Sequence, residues 1–243
     1  MGNFRGGPKL DNNPAARRIL EMSVMVQQRF HPLIQPGPHL GAAGSTTTVH
    51  SQQSRWDSTC ALHCLAMVLK ITGRITDPSR VATRRRRIES MLWRKTTEVF
   101  AKGMTFSELA VFIADLDCGL RTTLLDHSSH RQAIPWIEGE FAQGRLMICS
   151  VRPVGDRQNH AVLAIGAEGV QRADRFEAHT LLILDPAEGP PAAFAPCNAR
   201  LQYGSKQSGT LPRYATYQTA AEKFSVVLNG AVAVDVGEPE KPP

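Results

Sequence analysis

The chain has 243 residues, 42% of them hydrophobic, a formal net charge of +6 and five cysteines. That is the length of one ordinary domain with enough apolar residues for a core, and without a run of about 18 apolar residues no membrane-spanning helix is expected. An odd cysteine count at irregular spacing, in a chain too long to need stapling, argues against a disulfide framework and for free thiols in a reducing compartment.

Residues 1–50 are rich in Gly, Pro, Asn, Ser and Thr and hold no sustained period, apart from a short helical stretch near Ala15 to Phe30. They read as a flexible lead segment. Met1 to Asn13 lacks the apolar centre of a secretory signal. The expected location is therefore cytoplasmic, or outside the cell by a signal-peptide-independent route. A domain is expected over 51–236, and 237–243 read as a disordered tail.

The first helix is expected from Thr59 to Ile71, stopped by Gly73. Cys60, Cys64, Met67 and Val68 then share one face. Between Arg74 and Lys95 lie eight basic residues, including Arg84 to Arg87, against Asp77 and Glu89. This patch reads either as a solvated surface or as a contact for an acidic partner. No nucleic-acid-binding pattern accompanies it, which disfavours nucleic acid as that partner. A second helix spans Ile88 to Ala101. Thr105 and Glu108 form a capping box for a third, ending before Gly119. A fourth runs from Pro135 to Gly144.

Strands follow at Arg145 to Val151, His160 to Gly166 and His179 to Leu184, with Phe224 to Leu228 and Ala231 to Val236 flanking the hairpin signal Asn229-Gly230. Helices first and mostly antiparallel strands second predict an α+β domain, an N-terminal helical half packed on a C-terminal sheet.

Cys60 sits where a polar approach, QQSRWDST, gives way to this first helix. The positive end of the helix dipole favours the thiolate, the nucleophilic form. A base must keep it ionised and a third group must orient the base. His160 opens an apolar strand after a polar loop and is the candidate base. Asp185, ending the next strand, is the candidate orienter, or simply an Asp-Pro turn. The Cys60 main-chain N–H is one candidate oxyanion donor, and an upstream side-chain amide, Gln53 or Gln52, is available as the second. Cys60, His63 and Cys64 lie close in sequence, but no second Cys/His pair at ligand spacing exists, so neither a metal nor another cofactor is expected.

Gln53-SRWDST-Cys60-ALH-Cys64-LAMVL, Gly103-Met104-Thr105 through Leu109, Asn159-His160-AVLAIG and Leu184-Asp185-Pro186-Ala187-Glu188-Gly189 together resemble the papain-like cysteine peptidases of the C39 and C39-like type. The likeness covers roughly residues 50–190, in the family's order. It implies a papain-like fold, Cys60 as nucleophile, His160 as base and then acid, Asp185 as orienter and Gln53 as oxyanion donor. The sequence departs from the pattern at Ala61 and Thr59, in a Gln53-to-Cys60 interval one residue longer, and in an insertion between His160 and Asp185. No transmembrane or ATPase segment follows, so a soluble peptidase acting on a protein or peptide is expected, possible roles including a bacterial effector or toxin. The alternatives are an acyltransferase or deamidase using the same triad, or an inactive binding module that contacts its partner through the Arg84 region.

Overall fold

A computed structural model describes residues 25–45, 47–172, 175–204 and 211–236. Most of the expected helix near Ala15, and the tail from 237, lie outside the described residues. In chain order the elements are β1 (Met25–Phe30), β2 (Ile34–Gln35), β3 (Gly41–Ala42), α1 (Cys60–Ile71), α2 (Arg87–Val99) and α3 (Phe106–Asp115). Then come β4 (Leu120–Leu125), α4 (His130–Ala142), β5 (Leu146–Pro153), β6 (His160–Arg172), β7 (Arg175–Leu184), β8 (Ala199–Gln202), β9 (Ala215–Thr219) and β10 (Lys223–Val236).

The architecture corrects the expected one. Instead of a helical half packed on a sheet in the papain-like manner, six antiparallel strands in the order β6-β5-β10-β9-β8-β7 close on themselves through the β6–β7 pairing. Closure leaves the barrel itself without a free edge. Two long strands make it possible, each passing one edge from one neighbour to another at a bulge. β10 pairs with β9 over Lys223–Val226 and with β4 over Ala231–Val236 on that edge, while β5 follows it on the other with a register shift between Leu228 and Gly230. Asn229-Gly230, expected as a hairpin turn, is therefore a bulge inside one strand. A Cβ on Gly230 would stand 3.0 Å from the Leu125 carbonyl oxygen, so the close approach of β4 favours glycine. Likewise β6 leaves β5 after Ala164 and takes up β1 from Gly166 to Gln171. The segment expected as a lead thus contributes β1, and Ile34, Leu40, Ala42 and Val49 reach the core.

Strand alternation sorts the apolar residues into two clusters. Met147, Cys149, Val162, Ala164, Leu181, Ile183, Ala231 and Ala233 belong to one, with Ala133, Ile134 and Ile137 of α4 packed on it. The intervening residues Leu146, Ile148, Ala161, Leu163, Leu182, Leu184, Val232 and Val234 face the other, which α1 dominates. In α1, Ala61, Leu62 and every residue from Cys64 to Ile71 are buried. So extensively buried a helix needs its one buried charge satisfied, and Lys70 Nζ donates to Thr47 Oγ1 and the Thr76 carbonyl, both at 2.6 Å. The helix ends where Gly73, at φ +72°, lets the Gly73 and Arg74 N–H groups bond Lys70 O (3.1 Å) and Leu69 O (2.7 Å), a Schellman closure. The Thr105–Glu108 capping box starts α3 as expected.

Candidate active site

Cys60 is the first residue of α1 and His160 the first of β6, while Asp185 directly follows β7. The α1–β6 packing therefore brings the helix start to the end of the barrel where β6 begins and β7 finishes. His160 Nε2 donates to Asp185 Oδ1 at 2.6 Å. The ring also lies close enough to the Cys60 thiol for the two to shift each other's ionisation, and the Ala161 N–H points at the same sulfur from 3.4 Å. The three residues expected to carry the chemistry thus meet in one place, with Cys60 and His160 lining the same two cavities.

The electrostatics follow from those contacts. Burial pushes the Cys60 thiol up, but the hydrogen bond and charge of His160, with the Ala161 and Ala61 N–H groups, bring it below the ordinary thiol value. Burial alone would lower His160; its bonds to Asp185 and Cys60 and their charges raise it to about 10. Asp185, pushed up by burial, is held below its usual value by His160, Tyr217 and the Ala187 N–H. Both shifts favour the thiolate–imidazolium form of the pair.

Asp185 is fixed more firmly than a two-residue reading anticipates. Tyr217 O–H donates to its Oδ2 at 2.6 Å and Ala187 N–H to its Oδ1 at 2.8 Å. Asn198 clamps its main chain, accepting from the Asp185 N–H (2.7 Å) and donating to the Asp185 carbonyl (2.9 Å). His50, expected in the lead, is buried with Nε2 3.0 Å from that carbonyl. Tyr217 carried a faint signal, alternating with Ala215 in a short β-prone run; Asn198 and His50 carried none.

Of the remaining histidines, His127 lines one of the cavities at Cys60, beside Asp126 (3.6 Å), while three others have partners away from it. His63 pairs with Ser51 Oγ (2.8 Å), His31 with Gly144 O (2.8 Å), and His130 accepts from the Leu228 N–H (3.2 Å). Cys64 turns to Ala161 O (3.4 Å), so Cys60, His63 and Cys64 do not converge. Among the described residues no group of three or more His, Cys, Asp or Glu side chains is placed to hold a metal ion.

The approach to Cys60 is shaped by Asp57, whose carboxylate accepts from Ser54 N–H (2.9 Å), Thr59 N–H (3.0 Å) and Thr59 Oγ–H (2.6 Å). Thr59, a departure from the family pattern, is therefore part of this loop's internal bonding. Gln53 is near the site: its N–H reaches Pro186 O at 2.7 Å and its Nε2 donates to Asp57 O at 2.6 Å. Its second amide hydrogen is not claimed by that bond. Two cavities meet at Cys60 and His160. One, of about 590 Å³, is walled by Gln53, Asp57, Lys102, Glu108 and Asn159. The other, about 330 Å³, is walled by Phe106, Asp126, Ser150, Asn159 and Asn229. The Arg84–Arg87 patch lines neither; Arg85, Arg86 and Arg87 are exposed, with Arg87 3.9 Å from Asp117.

Among the described residues no helix is long and apolar enough to cross a membrane. The sequence matches no protein-family model and no curated protein.

Proposed function

We propose that the protein is a cysteine peptidase. The observation that carries the reading is the convergence of Asp185, His160 and Cys60, with His160 bonded to Asp185 and the Cys60 sulfur at a helix start beside two cavities. The motif resemblance supports it independently of the geometry.

In this reading the Cys60 thiolate attacks the carbonyl carbon of a peptide bond. The developing oxyanion faces the Cys60 main-chain N–H, which has no intrahelical acceptor at the first helical position, and the free amide hydrogen of Gln53. As the C–N bond breaks, the imidazolium of His160 gives its proton to the leaving amine, and a thioester remains. Neutral His160 then takes a proton from water, the water oxygen attacks the thioester, and the C–S bond breaks. A carboxylic acid leaves and the thiolate–imidazolium pair is restored. Asp185 holds the ring and stabilises the imidazolium throughout. Acyl transfer to an amine and glutamine deamidation share the steps up to the thioester. A binding module without chemistry has no need of an ionised thiol paired with a clamped imidazolium.

The test is thiol labelling. Iodoacetamide at pH 6 should modify Cys60 ahead of Cys118 and Cys197, the other two thiols that are not fully buried and whose burial pushes them up. Equal labelling of the three, or a Cys60→Ser variant that still cleaves the natural target, refutes the assignment.

A further inference from the structure

We propose that Asn159 is a substrate-binding residue that donates its side-chain amide to a peptide carbonyl lying across the junction of the two cavities. The inference rests on the peptidase reading and names a contact which that reading does not contain.

Asn159 precedes His160 and lines both cavities, a property it shares with Cys60, His160, Met104 and Thr105. Of these five, it alone offers a side-chain amide. It is exposed, so its amide is not structurally buried. Yet it does not hang freely. Ser150 Oγ–H donates to Asn229 Oδ1 at 2.7 Å, and Asn229 Nδ2 donates to Asn159 Oδ1 at 2.9 Å. This relay runs from β5 across the bulge of β10 to the loop before β6, along the wall of the smaller cavity. It occupies the acceptor of Asn159 and leaves its two N–H groups for the cleft.

An exposed asparagine pinned through its oxygen by a second pinned side chain is held in one orientation before any ligand arrives. Such preorganisation lowers the ordering cost of binding. The group that an amide N–H pair recognises is a carbonyl oxygen, and an extended peptide carries one at every residue. The bulge at Asn229-Gly230 then has a reason beyond barrel geometry: it turns Asn229 towards Asn159 while Gly230 admits β4.

The experiment compares two thiol reagents on the full chain: iodoacetamide, which carries no peptide, and a panel of peptidyl acyloxymethyl ketones varied at the residue before the ketone. With the wild type, at least one ketone should label Cys60 faster than iodoacetamide does. Asn159→Ala should slow that ketone about tenfold, the weight of one neutral hydrogen bond, and leave the iodoacetamide rate and its pH profile unchanged. Ser150→Ala, which breaks the relay with Asn159 intact, should give part of the same loss. If no ketone outpaces iodoacetamide, or if Asn159→Ala slows both reagents alike or neither, the assignment is overturned. Failure of iodoacetamide to select Cys60 in the wild type instead refutes the peptidase reading beneath it.

Discussion

Replacing Tyr217 with phenylalanine tests whether the far side of the barrel sets the charge on Asp185. Tyr217 is 2% exposed and its hydroxyl meets Oδ2 at 2.6 Å. The other carboxylate oxygen keeps His160 and the Ala187 N–H in the variant. The substitution conserves ring volume, so cavity terms are small and the lost hydrogen bond dominates. A hydrogen bond to a charged group contributes about 1.5–3 kcal/mol. The sign is fixed by linkage. Asp185 is depressed in the folded state, so its contribution is present above the unfolded carboxylate value and is lost as pH falls through the folded one. Tyr217→Phe raises the folded value and therefore removes stability at neutral pH. The deficit should close as the solution is acidified and both proteins carry a protonated Asp185. Urea unfolding of the two proteins, stepped down from pH 7, measures this directly. Equal stability at pH 7, or a deficit that persists unchanged into acid, refutes the reasoning, the first by showing no coupling and the second by assigning the effect to packing.

The remaining expectations concern the nucleophile and the strand crossing at β6. In His160→Ala the largest downward influences on Cys60 disappear while its burial remains, so the pH at which iodoacetamide labelling rises should move up to the ordinary thiol range or beyond. A labelling profile that does not move would mean the helix start, not His160, controls the thiolate. In Gly166→Ala the new Cβ would stand 2.7 Å from the Arg29 carbonyl oxygen, a backbone atom that cannot swing aside. A destabilisation of about 1–3 kcal/mol is expected from such overpacking. Faster amide hydrogen exchange over residues 25–30 would locate it in β1, and unchanged exchange there would contradict the proposed crowding.

What was legible in the sequence was local. The start of α1 at Cys60 and the capping box at Thr105 and Glu108 each depend on a few adjacent residues, and the structure has both. His160 and Asp185 were legible as strand-end polar residues flanking apolar runs. Barrel closure was not, because it rests on pairings between distant segments. β8 and β9 are short and interrupted by polar residues, and neither stands out from a loop until β7 and β10 are in place to pair with them. Asn229-Gly230 satisfies the chemistry of a hairpin turn, yet β5 runs alongside both halves of β10, and that continuous partner selects the bulge. The supports of Asp185 were hidden for the same reason, since Asn198 and Tyr217 lie on segments whose role appears only on closure.

This separation has a mechanical consequence for the triad. Cys60 is carried by a helix buried along most of its length, and its placement depends on the helical cluster. Asp185 is carried by the barrel: β7 delivers it, Asn198 at the entry to β8 clamps its main chain, and Tyr217 of β9 reaches its carboxylate from the other cluster. His160 opens β6, the strand that packs on α1 and closes the barrel against β7. The His160–Asp185 bond at 2.6 Å therefore lies within the barrel seam, and the Cys60–His160 contact lies between barrel and helix. Loosening β8 or β9 should remove the support of Asp185 while leaving the helix that carries Cys60 in place. Loosening α1 does the reverse. The two halves of the site are thus held by different elements, and β6, paired with β7 and packed on α1, joins them.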